Sequence, residues 1–383
     1  MIRILAGLAL VILAGCQVDQ PVAARTTPAG QCRATPVFEA APLNACAPGP
    51  RVSLAIVGDV LLHWQLQQLG YARDFRHVWA QAAPFIEGAD IAIANLEGPV
   101  APGLTRAGAK LRDPGPVWGS DVYTGFPTFN YHPKILADLK AGGFDLVTTA
   151  NNHSMDRGAR GADLTLAELS RAGLPSVGMI RGGAARDFVL RRQTPAGTLS
   201  FIACSFSTNG LPDPERQVLM CYRDKAELLS MVRREGADPK VAGVIVLPHW
   251  GVEYNNSPNA QQRALAQDLV GAGATAVVGT HPHVAQPFQV VAGPQGATPV
   301  VYSTGNFIAV QDHMGAMALL DLCPGSDGRL VTHQAGWIAM QMRFSPTAYW
   351  LDVAPAGSSG VRGAAAQEMA RIAPGFSAQP QCR

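Results

Sequence analysis

Carboxylates, an asparagine and histidines recur along this chain at the ends of apolar segments, and these are side chains that hold transition-metal ions. Asp59 follows the largely apolar run 52–58 and Glu97 follows 91–96. Asn152 and His153 come after 146–150, His249 after 244–248, and His281 and His283 after 276–280. A segment that is apolar and then abruptly polar reads as a buried strand whose last residues emerge at the carboxyl edge of a sheet, where open α/β folds gather their sites. Strands distant in sequence can thus pool ligands at one point.

The residue types say what each position offers. Gly58 lets the chain turn tightly and leaves Asp59 at the strand end. Two carboxylates, Asp59 and Glu97, converging at one edge repel unless a cation lies between them. Asn152 offers a neutral oxygen ligand, and His153 a proton donor or a charge that stabilises a leaving group. Alternatively, Asn151-Asn152-His153 is a turn capping the next helix. Asp156 is placed to cap that helix or to hold the ring of His153. His281 and His283, at i and i+2 of an extended segment, would face the same way and present two imidazoles to one site. Ser303 and Asn306, in Tyr302-Ser303-Thr304-Gly305-Asn306-Phe307, bind substrate, brace the ligands or close a hydrogen-bonded turn, and Glu253 is a further substrate-side or bracing candidate. Of the remaining histidines, His63 stands out, four residues after Asp59. Imidazole with carboxylate suits zinc, iron or manganese and does not select among them.

Positioning these residues needs alternating strands and helices. Strands are expected at 52–57, 90–94, 145–149, 176–178, 198–203, 241–247 and 274–278. Helices are expected at about 74–87, 133–142, 161–172, 223–235 and 259–272. That alternation argues for an α/β fold with a largely parallel sheet. Strands near 287–291, 299–303, 315–321 and 336–344 read as a more antiparallel second layer, followed by a short helix at 362–372. The Gly/Pro-punctuated stretch 101–132 carries Trp118, Tyr123, Phe126, Phe129 and Tyr131, and a loop of that length reads as a substrate-side excursion.

Composition sets the boundaries. The chain has 383 residues, 48% of them hydrophobic, and a formal charge of +2. No Lys/Arg run or aromatic-interleaved basic stripe is present, which argues against a nucleic-acid partner and leaves a phosphate-bearing or anionic substrate. Arg3 followed by the apolar run 4–13 reads as an export signal over 1–15. Leu13-Ala14-Gly15-Cys16 looks like a bacterial lipobox, which would make Cys16 a lipid-modified membrane anchor, with Gln17 pointing to outer-membrane sorting in a Gram-negative host. Residues 16–50 read as a flexible tether, 51–354 as the folded domain and 355–383 as a carboxyl tail. Cys32, Cys46, Cys204, Cys221, Cys323 and Cys382 suit structural disulfides in an oxidising compartment. Nearest-neighbour pairing would join Cys32 to Cys46, Cys204 to Cys221 and Cys323 to Cys382.

Taken in order, Gly58-Asp59-Val60, Asn95-Leu96-Glu97, Asn151-Asn152-His153-Ser154-Met155-Asp156, His249-Trp250-Gly251-Val252-Glu253-Tyr254, His281-Pro282-His283 and Tyr302-Ser303-Thr304-Gly305-Asn306-Phe307 resemble the poly-gamma-glutamate capsule biosynthesis (CapA-type) proteins, a branch of the calcineurin-like metallophosphoesterases. The resemblance covers roughly 51–310. It implies a four-layer α/β/β/α sandwich of the metallophosphoesterase type with a one- or two-metal centre of Mn, Fe or Zn. By position, Asp59, Glu97, Asn152, His249, His281 and His283 would be metal ligands, and His153 would protonate the leaving group while a metal-activated hydroxide attacks in line. It implies an exported, lipid-anchored hydrolase acting on a phosphoester or another envelope bond, or else an accessory protein for assembling, exporting or tethering an anionic polymer such as poly-gamma-glutamate. Two departures stand out. Leu61 occupies a position where the wider superfamily has a histidine, and Thr280 replaces a histidine common in the capsule branch.

Overall fold

The computed structural model describes residues 34–311, 314–345 and 347–382. Its strands begin with β1 (Ala34–Phe38), β2 (Val52–Val60), β3 (Ile91–Leu96), β4 (Leu146–Thr148), β5 (Ser176–Val177) and β6 (Val189–Thr194). They continue with β7 (Gly197–Ser205), β8 (Val241–His249), β9 (Ala276–Val278), β10 (Phe288–Gly293) and β11 (Gly296–Val301). The last are β12 (Asn306–Ile308), β13 (Met314–Pro324), β14 (Leu330–Ser345), β15 (Ala348–Ala354) and β16 (Ala378–Cys382). The helices are α1 (Trp64–Ala72), α2 (Ala83–Gly88), α3 (Lys134–Ala141), α4 (Gly158–Arg171), α5 (Lys225–Ala237), α6 (Ala260–Gly271) and α7 (Gly360–Ile372).

An eight-stranded sheet runs β15-β14-β13-β2-β3-β4-β5, with β12 also paired to β2, and a six-stranded sheet runs β10-β11-β9-β8-β7-β6. The central strands of each are parallel and buried on both faces, which is why they read as continuous apolar runs. Leu54, Ile56 and Ile93 of one sheet meet Phe201, Ile245 and Val278 of the other in the inner core. The opposite face of β2, with Ala55 and Val57, packs under Leu66, Ile86, Leu136 and Leu139 of α1, α2 and α3. Ile202, Val244 and Val246 face α5 and α6 through Leu228, Val232, Leu265 and Leu269. Helices, sheet, sheet and helices therefore stack as an α/β sandwich.

Several expectations are corrected. The helix expected over 74–87 is a 3-10 turn over Phe75–His77 followed by α2, because Asp74 accepts the Arg76 N–H and Pro84 starts a new helix. Strands β1, β6, β12, β15 and β16 and helix α1 are additions to the expected set. The later antiparallel strands form no layer of their own: β10 and β11 join the six-stranded sheet, while β13 to β15 extend the other. The part of the expected tether that is described, 34–50, is fastened down. β1 pairs with β16, and the Asn44 amide donates to the Ala297 and Thr332 carbonyls at 2.7 Å each. The expected tail is likewise structured, since α7 precedes β16 and Trp337 Nε1 donates to the Ala373 carbonyl at 2.8 Å.

Cys204 bonds to Cys221 as expected, but Cys46 bonds to Cys323, which overturns the pairings of Cys46 with Cys32 and of Cys323 with Cys382. Sequence proximity misled here, because Leu43 and Asn44 run along β14 and bring Cys46 to the end of β13. The expected signal segment 1–15, Cys16 and Cys32 lie outside the described residues. Among the described residues no helix is long and apolar enough to cross a membrane.

Candidate metal centre

The register of β2 builds the acidic side of the site. Its first half pairs with β13 over 52–56, but its last residues pair with β12, which sets Asn306 directly beside Asp59. Gly58 permits this approach: a Cβ there would lie 1.7 Å from the Gly305 carbonyl oxygen. Close packing rather than a turn is thus the reason for Gly58, since β2 runs on to Val60. On the other side β3 pairs Asn95 with Asp59, and Glu97, two residues further, projects from the same face.

The imidazole side comes from the other sheet. His249 ends β8, and His281 and His283 follow β9. The expectation that this pair lies on extended backbone is not met. His281 has φ 99° and His283 φ 59°, both left-handed, yet their ring centroids stand 5.9 Å apart at one site. Holding non-glycine residues there costs about 1–3 kcal/mol each, a cost found where function over-determines the backbone.

Glu97, His281 and His283 each bring one ligand atom within 4.8 Å of the others, and all three are buried. Both carboxylate oxygens of Glu97 and the Nδ1 of His281 are buried without a hydrogen-bond partner. Such atoms are costly unless something fills them, and a divalent cation held by this group would satisfy the Glu97 carboxylate. The donor set therefore fits a metal. Cys46, Cys323 and His333 also cluster, but the two sulfurs are joined to each other.

The remaining residues surround this group. Asp59 accepts from Asn95 Nδ2 at 2.7 Å and from the His281 backbone at 3.3 Å, with His283 Nδ1 also 3.3 Å away. His249 Nε2 stands 2.8 Å from the side-chain Oδ1 of Asn152 and 3.7 Å from Glu97. On the other side of that ring, Nδ1 faces Thr280 Oγ1 at 2.9 Å and Asp59 at 3.9 Å. Asn306 takes the His283 Nδ1 proton at 2.9 Å and so orients that ring. Ser303 instead donates to the Val284 carbonyl and accepts from Gly305 N–H, both at 2.9 Å, which closes a turn. Glu253 sits at the mouth, its side chain 46% exposed and 4.0 Å from His283.

His153 stands apart with its own partner. Its Nδ1 donates to Asp156 at 2.8 Å, so Asp156 holds the ring and does not cap α4. Asp156 also receives the Phe129 N–H at 2.6 Å, and the Phe129 ring meets His153 edge to face at 4.7 Å. The stretch 101–132 is thus a structured excursion that covers this side of the site. Its fastening includes Asn130, which donates to the Ala101 and Val122 carbonyls at 2.9 Å each.

Electrostatics follow from burial. Burial first, then the Asp59 charge, holds the Glu97 carboxyl well above the ordinary range, with His283 pulling it back. Burial would lower His283, but Glu97, Asp59 and Glu253 push it up to about 10. Burial and the neighbouring imidazoles bring His281 down to about 3 and His249 well below its usual value. Positive charge is thus favoured on His283, and the neutral form on His281 and His249.

Sequence reasoning missed Asn95 as a working residue. It links Asp59 to Thr148, whose hydroxyl donates to Asn95 Oδ1 at 2.8 Å, and to Asn151 Nδ2 at 3.2 Å. The period of two along β3 places it on the face of Glu97 and was the available signal. Phe206, 4.2 Å from the His281 ring, carries no such signal.

A model of the family described as "Bacterial capsule synthesis protein PGA_cap" matches residues 53–311. Over 307 residues the chain is 28% identical to "Capsule biosynthesis protein CapA" of Bacillus anthracis, covering 72% of this chain and 67% of that one. It is 27% identical to "PGA biosynthesis protein CapA" of Bacillus subtilis, covering 67% and 63%. A third relative, "Probable polyglutamine synthesis accessory protein Rv0574c" of Mycobacterium tuberculosis, is 26% identical over 63% of this chain and 61% of its own. A solved structure of a hypothetical protein from Thermus thermophilus covers 76% of this chain and 99% of its own, with a TM-score of 0.45 and 17% identity.

Proposed function

The chain belongs to the PGA_cap family of bacterial capsule synthesis proteins, and we propose that it is an exported, metal-dependent hydrolase of the cell envelope that cleaves a phosphoester or a related bond. The observation that carries this reading is the Glu97 carboxylate, fully buried with both oxygens unpartnered against His281 and His283. Those three residues would hold the ion, and Asp59, Asn152 and His249 are placed beside them to complete a one- or two-ion centre of Mn, Fe or Zn. When bound, such an ion supplies Lewis acidity to a phosphoryl oxygen and acidifies water.

The protein's own residues supply the rest. Asp156 accepts a hydrogen bond from His153 Nδ1–H and would steady the imidazolium form, whose Nε2–H would pass to the departing oxygen. Asn306 and Thr280 hold His283 and His249 in orientation. Phe129 and Phe206 keep water from the two flanks. The Cys46–Cys323 and Cys204–Cys221 bonds support an oxidising, extracytoplasmic location. Lipid attachment at Cys16 to a membrane, and an anionic or phosphorylated envelope partner rather than nucleic acid, belong to the same proposal.

Metal analysis and turnover of an aryl phosphate with added Mn²⁺ test it. One or two equivalents of metal with turnover that is lost in His283→Ala are expected; no bound transition metal, or unchanged metal and turnover in that variant, overturns it. A second reading is a non-hydrolytic accessory role in assembling, exporting or tethering an anionic polymer such as poly-gamma-glutamate. Leu61, buried and apolar where a further ligand would stand, favours it. Under that reading metal binds but no phosphoester is turned over.

A further inference from the structure

His63 is a site-facing histidine used neither by the ligand group nor by its braces. It immediately precedes α1 but makes no side-chain capping bond, so the helix does not require its imidazole. Its ring meets Phe129 edge to face at 5.5 Å, and His153 meets the same phenyl at 4.7 Å. One buried phenyl, fixed through its N–H on Asp156, therefore spaces two imidazoles on the same side of the site. The Nδ1 of His63 is buried beside the Leu61 carbonyl without a well-aligned hydrogen bond, while the residue as a whole is partly exposed. Burial, only partly offset by that carbonyl, holds the ring down to about 4, with His283 and His153 adding to the shift.

A neutral imidazole has one N–H and one lone pair. With the proton at Nδ1 toward Leu61, Nε2 is left as an acceptor. Trp64, the residue after His63, begins an aromatic ledge with Trp118 and Phe126. Trp64 is 49% and Phe126 74% exposed, and a Cβ on Gly125 would touch the Trp118 ring at 3.3 Å and the Trp64 backbone at 3.5 Å. Exposed aromatic faces close together offer a surface on which a sugar ring can stack.

We propose that His63 is a substrate-binding residue whose Nε2 accepts a hydrogen bond from a hydroxyl of a sugar-type leaving group lying along the Trp64, Trp118 and Phe126 ledge, which makes the substrate a sugar phosphoester. The inference rests on the hydrolase reading for the site but concerns recognition by residues outside the ligand group. A neutral hydroxyl-to-imidazole bond is worth on the order of a tenfold change in affinity.

Calorimetry on the full, Zn²⁺-loaded chain tests it with two probes, inorganic phosphate and the non-hydrolysable phosphonate analogue of glucose 1-phosphate. In His63→Ala the phosphonate should bind about tenfold more weakly while phosphate changes by less than about twofold, metal content is unchanged, and His63→Gln recovers part of the loss. Equal weakening of both probes, no weakening of either, or a wild type that binds the phosphonate no better than phosphate overturns the proposal. Aryl phosphate turnover, measured separately, distinguishes this from failure of the hydrolase reading: discrimination with no turnover leaves His63 a binding residue and removes the enzyme.

Discussion

Asp59, Asn95 and Glu97 reach the site along β2 and β3, whose ladder sets Asn95 directly opposite Asp59, whereas His281 and His283 reach it from the segment after β9 with left-handed backbone. The acidic half thus carries an electrostatic cost and the imidazole half a conformational one. Two acids are buried close together, and Glu97 has no partner for either oxygen. On the other side the backbone is pinned by Thr280 N–H on the Pro248 carbonyl at 3.0 Å and Tyr254 N–H on the Pro282 carbonyl at 2.8 Å. A cation offsets the first cost directly and the second by engaging rings that the strain has aimed.

The largest effect should come from removing the acid charge. Glu97→Gln is expected to lower metal affinity and turnover at least ~100-fold while leaving the metal-free protein as stable or more so, because an amide next to Asp59 relieves repulsion in a buried site. Metal analysis paired with thermal melting checks this, and a large fall in metal-free stability would show that Glu97 is a structural group. Gly58→Ala should cost about 3 kcal/mol or more in urea unfolding, since its Cβ has 1.7 Å to the Gly305 oxygen. A normal unfolding midpoint would mean that β12 can move and that the acidic half is less rigid than its register implies.

Asn306→Ala should weaken metal binding about 10–100-fold by releasing the His283 ring, with little change in unfolding midpoint. Titration of metal into the metal-free variant reads it, and unchanged affinity would remove Asn306 from the site. The smallest effect separates the two halves most cleanly. At His281, with φ 99°, glycine should be more stable than alanine by about 1 kcal/mol, whereas at Glu97, next to the end of an ordinary strand, alanine should equal or exceed glycine. The same order at both positions would dissolve the contrast.

Much of this was legible beforehand because apolar runs ending in polar residues mark buried parallel strands, and β2, β3, β4, β8 and β9 lie where such runs place them. The approach of Asn152 to His249, or of Asn306 to His283, bridges elements far apart in sequence and left no local trace. The likeness of ordered motifs pointed to the family that the match over 53–311 establishes. Edge strands such as β6 were missed because half-buried strands alternate weakly, and Arg191 and Arg192 within it read as loop.

Sequence by itself determined the α/β character and the strand ends that carry chemistry, because each depends on local pattern. Tertiary structure alone decided that Cys46 meets Cys323, that 34–50 is part of the folded body and that Glu97, His281 and His283 converge. It also decided that His281 and His283 face one site through left-handed backbone, an arrangement that local propensity opposes and that long-range contacts impose.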